Sequence, residues 1–227
     1  MLQPDDRGKE AAMNEPTKDE LLATDATRFD TNSLHFIGPC GDSSRHIPLH
    51  ELESLLTALP PAPKSEGEVK LLVARGEHGS RELPDEVRLS VEDGMPKDRW
   101  TFDDRYGYAN QLATTQWNYA HTIANGQNID LHGDNLFLDL DLSESNLPAH
   151  SELRLGEVLL VVTPMPHHGC KKWAQRFGLG PMQLNAAEHF RKCRLRGIYL
   201  RVIESGRVRV GDVAKVVRRG ASRTNIR

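Results

Sequence analysis

Cysteine is scarce in this 227-residue chain: only Cys40, Cys170 and Cys193 occur, an odd number with no Cys-x-x-Cys spacing. That excludes a disulfide framework and a structural zinc site built mainly on cysteine, and makes a reducing cytoplasm the expected compartment. Aromatic residues are also sparse, at 6%, and none interleaves with the basic residues in a stacking pattern except Tyr199. The pattern therefore gives no sign of a nucleic-acid partner. No apolar run reaches the roughly 18 residues of a membrane-spanning helix, so no membrane partner is expected. Residues 1–20 are polar and mostly acidic, without the basic and then apolar order of a secretory signal. The nucleotide-binding fingerprints GxGxxG and Walker A are missing, and so is the GxSxG nucleophile turn.

What the chain does have is an uneven distribution of charge. Hydrophobic residues make up 38% and charged residues 27%, a globular composition with a net charge of only −3. Residues 1–66 hold 12 acids and 6 bases, residues 67–163 hold 17 acids and 8 bases, and residues 164–227 hold 3 acids and 15 bases. The basic C-terminal part implies either an anionic partner or a surface neutralised by the rest of the same fold.

Residues 1–45 mix Asp, Glu, Lys, Thr and Asn with few periodic apolar positions, and Gly38-Pro39-Cys40-Gly41-Asp42 is a loop signal. They predict a weakly structured extension. Leu49, Leu52, Leu55, Leu56 and Leu59 recur at helical spacing, and Pro60-Pro61-Ala62-Pro63 stops the pattern. Residues 46–66 therefore read as a helix and a proline-rich linker. Val69, Leu71 and Val73 then alternate as in a strand, and so do Val87, Leu89 and Val91. Residues 111–125 are ambiguous: 112–116 fit a strand, and 117–124 fit a short helix ended by Asn125-Gly126. Leu136, Leu138 and Leu140 share one face while Asp139 and Asp141 share the other, the pattern of a half-buried strand. Residues 153–162 read as a strand with a bend or turn at Gly156. Residues 184–193 read as a helix of about two turns. Three more short strands follow at 197–203, 207–210 and 213–217. Many short strands with turn signals and few helices predict a mainly β fold. The expectation is a closed or nearly closed β-barrel with a few short helices over residues 67–219, and a tail at 220–227.

The stretch best suited to chemistry is Val162-Thr163-Pro164-Met165-Pro166-His167-His168-Gly169-Cys170-Lys171-Lys172-Trp173. It leaves an apolar strand, breaks on two prolines and presents Cys170 on an irregular turn beside two lysines. Neighbouring cations favour the thiolate, which is the nucleophile and the metal ligand. A buried structural cysteine is the competing explanation. Cys193, within a basic helical segment, and Cys40, in the extension, are weaker candidates. His167 and His168 would point opposite ways on an extended segment, so the pair does not complete a metal site with Cys170. Arg191, Lys192, Arg194, Arg196 and Arg201 form a basic set suited to phosphate, which fits a small phosphorylated ligand better than a polymer. Asp98, Arg99, Asp134 and Asn135 sit at strand ends or turns.

Several of these stretches, in order, resemble the MOSC domain family, named for the C-terminal domain of molybdenum cofactor sulfurase. Lys97-Asp98-Arg99-Trp100 is similar to the family's Gly-Asp-Arg turn, with Lys97 in place of the usual Gly. Gly133-Asp134-Asn135-Leu136 is similar to its Gly-Glu-Asn-Ile segment. His167-His168-Gly169-Cys170 carries the signature cysteine, and Arg196-Gly197-Ile198-Tyr199 and the segment Gly206-Arg207-Val208-Arg209-Val210-Gly211-Asp212 match the closing strands.

The resemblance implies a pyruvate-kinase-barrel-like β-barrel holding a molybdenum–pterin cofactor (molybdopterin), with Cys170 as the catalytic residue and the metal ligand. It also implies reduction of a small N-oxygenated substrate, as in relatives of the mitochondrial amidoxime-reducing component. Asn135 falls in the segment that helps hold the pterin. Arg99, Lys171, Arg194 and Arg196 are the expected cofactor-binding cations; for Arg194 and Arg196 the expectation comes from charge. The chain has neither an iron–sulfur cysteine set nor a flavin motif, so electrons would come from a separate redox partner. The alternative the family implies is sulfur carriage, with persulfide sulfur on Cys170 supplied by a cysteine desulfurase. A barrel-shaped binding module with a structural cysteine is the third possibility.

Overall fold

The computed structural model of the protein describes residues 38–102 and 107–221. Most of the expected extension, residues 1–37, and most of the expected tail, residues 222–227, lie outside them. The described chain begins with a loop that packs its backbone on a later helix, followed by α1 (Leu49–Thr57). Helix α1 turns Leu52 and Leu56 inward, two of the leucines of the sequence periodicity.

The strands then run β1 (Glu66–Leu72), β2 (Ala74–Arg75), β3 (Arg81–Glu82), β4 (Glu86–Leu89) and β5 (Leu112–Gln116). After β5 come α2 (Trp117–Ala124), β6 (Leu136–Leu138), β7 (Glu152–Leu155) and β8 (Val158–Pro166). Three short helices follow, α3 (Lys171–Phe177), α4 (Gly180–Ala186) and α5 (Glu188–Arg191). The chain ends with β9 (Ile198–Glu204), β10 (Gly206–Arg209) and β11 (Val213–Arg218). Seven strands close a barrel in the order β1-β11-β7-β8-β9-β5-β6, while β10–β4 and β2–β3 form two small ribbons. The closed, mainly β architecture is the expected one. Among the described residues, no helix is long and apolar enough to cross a membrane.

Every barrel pairing is antiparallel except β5–β6, which is parallel with Thr114 opposite Leu136 and Gln116 opposite Leu138. A parallel pair needs a crossover, and here the crossover contains α2. Helix α2 covers the outer side of the seam, where Ala120 clusters with Val73 and Phe137. This corrects one reading of the sequence: β6 is buried on both faces, not half-buried, because the helix shields the side opposite Leu136 and Leu138.

Two other elements differ from expectation. Residues 153–162 form the hairpin β7–β8 rather than one strand, with the turn at Gly156 that was one of the two expected possibilities. Gly156 takes a positive φ of 53° at the turn, a conformation that suits glycine. The expected helix over 184–193 is two helices, because Ala187 adopts an extended conformation (ψ 139°) between α4 and α5.

The barrel interior is filled by side chains such as Val69, Leu136, Leu155, Leu160 and Leu200. A second apolar cluster joins α1, α2, α3, α4 and α5 through Leu52, Ile123, Trp173, Phe177, Leu184 and Phe190. The polar site described next is reached where β8 leaves the barrel and enters this helical layer.

Candidate functional site

Strand β8 ends at Pro166, and His167-His168-Gly169 leads to Cys170 at the start of α3. The Cys170 carbonyl accepts from the amides of Trp173 (2.9 Å) and Ala174 (3.0 Å), which fixes the residue at the head of the helix. The thiol is free and the residue is exposed, as are the free thiols of Cys40 (exposed) and Cys193 (partly buried). Cys170 lies at the rim of a cavity of about 150 Å³ whose walls carry six cations, Arg75, Arg81, Arg99, Lys172, Arg176 and Arg196. Among the described residues, no carboxylate lines this cavity.

The two acids that serve it stand behind the cations. Asp98, 1% exposed, receives a bidentate pair from Arg75 (Nε 2.9 Å, NH2 2.8 Å) and also the Arg75 amide at 2.8 Å. Arg75 NH1 donates to the Gly133 carbonyl at 3.0 Å. Asp134 is fully buried, and its Oδ2 accepts from Arg196 NH1 and from the Thr115 hydroxyl. Arg196 NH2 donates to the His132 carbonyl at 2.9 Å, and its guanidinium lies 5.4 Å from the Trp173 ring centroid. The close approach of β9 to β5 that allows this rests on Gly197. A Cβ there would lie 2.0 Å from the Thr114 carbonyl oxygen, and φ is +92°.

Two other cations have neutral partners among the described residues. Arg81 donates to the carbonyls of Gly79 and Ser80, and Arg176 to those of Pro39 and Leu131, partners that carry no net charge. Burial, followed by the charges of Arg176, Arg99 and Arg75, lowers Arg81 to about 10. Burial and the neighbouring Arg99 and Arg176 also lower Lys172. Burial and mutual repulsion among these cations both oppose their charge, and an anion in the cavity would relieve the repulsion.

Two histidines complete the walls. His132 is 2% exposed; its Nε2 faces the Ala120 carbonyl at 3.0 Å and its Nδ1 faces Trp173 Nε1 at 3.1 Å. The indole can only donate, so Nδ1 is the acceptor and the proton sits on Nε2. Burial, together with Arg196, lowers His132 to about 3. The side chain of His167 is 4% exposed, and its ring stacks against Tyr199 with centroids 4.2 Å apart. Burial and the arginines Arg196 and Arg75 push it well below the usual histidine range, so it is neutral.

On the other side of the His167-His168-Gly169 segment lies a second cavity of about 640 Å³, lined by Met165, Met182, Asn185, Arg191 and Arg194 among others. It shares His167 and His168 with the first, so the approach to Cys170 partitions two adjoining spaces.

The expected site residues are thus distributed unevenly. Cys170, Arg99 and Arg196 line one cavity, while Arg194 lines the other and spends NH1 on the Leu147 carbonyl at 2.7 Å. Lys171 is exposed beside Cys170 and lines neither, and its neighbour Lys172 faces the cavity instead. Asn135 lines neither cavity; its amide bonds the Ala113 amide, the Val73 carbonyl and Asp98 Oδ2 (2.7 Å). It therefore fixes Asp98, and through Asp98 it fixes Arg75. Arg75, Arg81, Arg176, His132 and Tyr199 were not singled out from the sequence as site residues, because only barrel closure brings their segments together. Among the described residues, no group of three His, Cys, Asp or Glu is placed to hold a metal ion.

The fold is thus a closed barrel with a thiol at the rim of a cationic cavity. Residues 106–215 match the family model of the MOSC domain, and the chain carries a MOSC domain. No curated protein matches the chain. Solved structures to which it is similar include YiiM from Escherichia coli (23% identity, 68% of this chain and 71% of that chain, TM-score 0.47). The YuaD protein from Bacillus subtilis (14% identity, 66% and 94%, TM-score 0.47) and YiiM from Geobacillus stearothermophilus (16% identity, 71% and 77%, TM-score 0.44) are others.

Proposed function

We propose that this MOSC domain binds a molybdenum–pterin cofactor with Cys170 as its single protein thiolate ligand, and reduces a small N-oxygenated substrate with electrons from a separate redox partner in the cytoplasm. The observation that carries the reading is the thiol at the rim of a cavity with six cationic side chains, two of which, Arg75 and Arg196, are held from behind by buried carboxylates. The residues fit such a group. One soft thiolate suits a metal whose other ligands come from the pterin dithiolene. The cations suit the cofactor's phosphate. Among the described residues, buried Arg81 Nε, Arg196 Nε and His167 Nδ1 have no hydrogen-bond partner, which leaves polar atoms for a ligand to satisfy.

When bound, the cofactor would supply the two-electron redox centre. The chain's own contribution is binding and orientation. Arg81, Arg99, Lys172 and Arg176 would hold the phosphate, with Lys171 adding charge at the rim. Asp98 and Asn135 keep Arg75 in place, and Asp134 keeps Arg196 in place. The larger cavity, beside Arg191 and Arg194, falls in the range of about 300–1,000 Å³ typical of small-molecule sites and would take the substrate.

The exposure of Cys170 supports a second reading, a carrier of persulfide sulfur received from a cysteine desulfurase. Metal analysis separates the two. Protein from a cofactor-competent host should hold one molybdenum per chain and lose it in Cys170→Ser. Molybdenum-free protein that gains one sulfur on Cys170 after incubation with a desulfurase would overturn the first reading in favour of the second.

A further inference from the structure

His167 is a polar wall of the Cys170 cavity whose chemistry differs from that of the cations. The cationic walls are all hydrogen-bond donors. His167 is neutral and buried, and its two ring nitrogens are unequal. Nε2 lies 3.7 Å from Asp134 Oδ1, an oxygen that has no hydrogen-bond partner of its own. At 3.7 Å this is charge attraction and not a hydrogen bond, and it favours the ring proton on Nε2, the nitrogen nearer the carboxylate. Nδ1 is then a bare lone pair, and it too is buried without a partner. The cavity therefore leaves two orphaned donors, Arg81 Nε and Arg196 Nε, and one orphaned acceptor on the residues around it. A ligand that satisfies all three must carry several acceptor oxygens and one O–H.

We infer that His167 makes the Cys170 cavity selective for an oxyanion that bears a proton, such as hydrogen phosphate, over an oxyanion of the same size and shape with none, such as sulfate. The arginines attract both anions equally well. Sulfate would set an oxygen lone pair against the Nδ1 lone pair, whereas hydrogen phosphate donates its O–H there. A site with a buried hydrogen-bonding group rejects the analogue that leaves the group unpaired. Inorganic phosphate keeps at least one proton throughout the neutral range, so the selectivity needs no change of pH. The shared chemistry is a phosphoryl group with one O–H, whether free phosphate or the phosphate of a larger molecule. The inference rests on the cavity and not on molybdenum. Failure of the cofactor reading, seen as absence of the metal, leaves it standing, and its own failure is read in a different experiment.

The test is titration calorimetry of the full chain, free of cofactor, with inorganic phosphate and with sulfate. Phosphate should bind at least about tenfold tighter than sulfate, the size of one unpaired buried group. His167→Gln, whose amide offers both a donor and an acceptor, should bring the two affinities together, and so should His167→Phe. Because either variant could be poorly folded, nitrogen-15 NMR of the wild-type ring gives a second readout, with the proton expected on Nε2. Equal affinities in the wild type, binding of neither anion, or a proton on Nδ1 would each overturn the inference. Phosphate binding that disappears when the chain is loaded with the cofactor would identify the cofactor's own phosphate as the occupant. Binding that persists would identify free phosphate.

Discussion

Arg75 and Arg81 are paired residue for residue across the β2–β3 hairpin, and both line the Cys170 cavity. Like charges directly opposite on a ribbon are destabilising. Asp98 relieves Arg75, but among the described residues Arg81 donates to carbonyls alone, and its basicity is depressed. Arg81→Gln should therefore raise the melting temperature of the ligand-free chain, by about 2–4 °C for each kcal/mol of repulsion removed. The same change should weaken phosphate binding by about tenfold, the loss of one charge-assisted hydrogen bond. A variant that melts lower than the wild type would show that Arg81 is structural. Thermal denaturation and calorimetry on one preparation decide it.

Acid sensitivity should come from the histidines of the site. His132 is held at about 3 in the fold against an ordinary value of 6.5. Below about pH 6.5 the unfolded chain gains a proton that the folded chain refuses. Stability is thus complete above that point and falls as pH drops towards 3, by about 1.4 kcal/mol per pH unit for one such group. His167 adds a second loss of the same sign. Replacing His132 with Phe should remove one proton from this slope. It should also cost about 1–3 kcal/mol at neutral pH, because Trp173 Nε1 loses its acceptor. Urea titrations between pH 4 and 7 (roughly the range of histidine uptake) measure both effects.

Asp98→Asn addresses the buried ion pair. The carboxylate accepts from Arg75, from the Trp100 amide (2.9 Å) and from Asn135. Burial alone would raise its pKa, but the bonds from Arg75 bring it below the ordinary carboxylate value. Its stabilisation is present above that range and lost as pH falls through it. The amide leaves Arg75 as an uncompensated buried cation, so the expected cost is about 3–5 kcal/mol. An unchanged unfolding midpoint would show that solvent reaches the pair.

Lys97 has a left-handed backbone, with φ +58°. A side chain there costs about 1–2 kcal/mol, against an entropic penalty for glycine of about 0.5–1 kcal/mol. The ion pair of Lys97 with Glu82 joins side chains that are 75% and 61% exposed, and adds little. Lys97→Gly should stabilise the chain by about 0.5–1 kcal/mol, measurable by chemical denaturation.

The barrel was legible in the sequence where alternation met turn chemistry. Val69 and Leu71 lie in β1, Val87 and Leu89 in β4, and Asn125 takes the left-handed cap of α2. At Gly156 a turn was legible but two strands were not, because apolar residues continue on both sides of it. Cys170 was legible from its immediate neighbours. Its cavity was not, because the Arg75–Arg81 hairpin, Arg99 and Arg196 come from three separate segments that only the tertiary fold brings together. Asn135 was legible as a motif, but its job was not: a buried amide bonded to Asp98 looks the same in sequence as one bonded to a ligand.

The parallel β5–β6 seam has a topological cause. Strand direction alternates around an antiparallel barrel, so a ring with an odd number of strands cannot close without one parallel neighbour pair, and this ring has seven. The mismatch obliges the chain to travel the length of the barrel between β5 and β6. His132, Gly133, Asp134 and Asn135 lie on the last stretch of that return, where they anchor Arg75 and Arg196. The anchoring wall of the site is thus a by-product of strand parity. A relative that gained or lost one strand would have no topological need for this crossover.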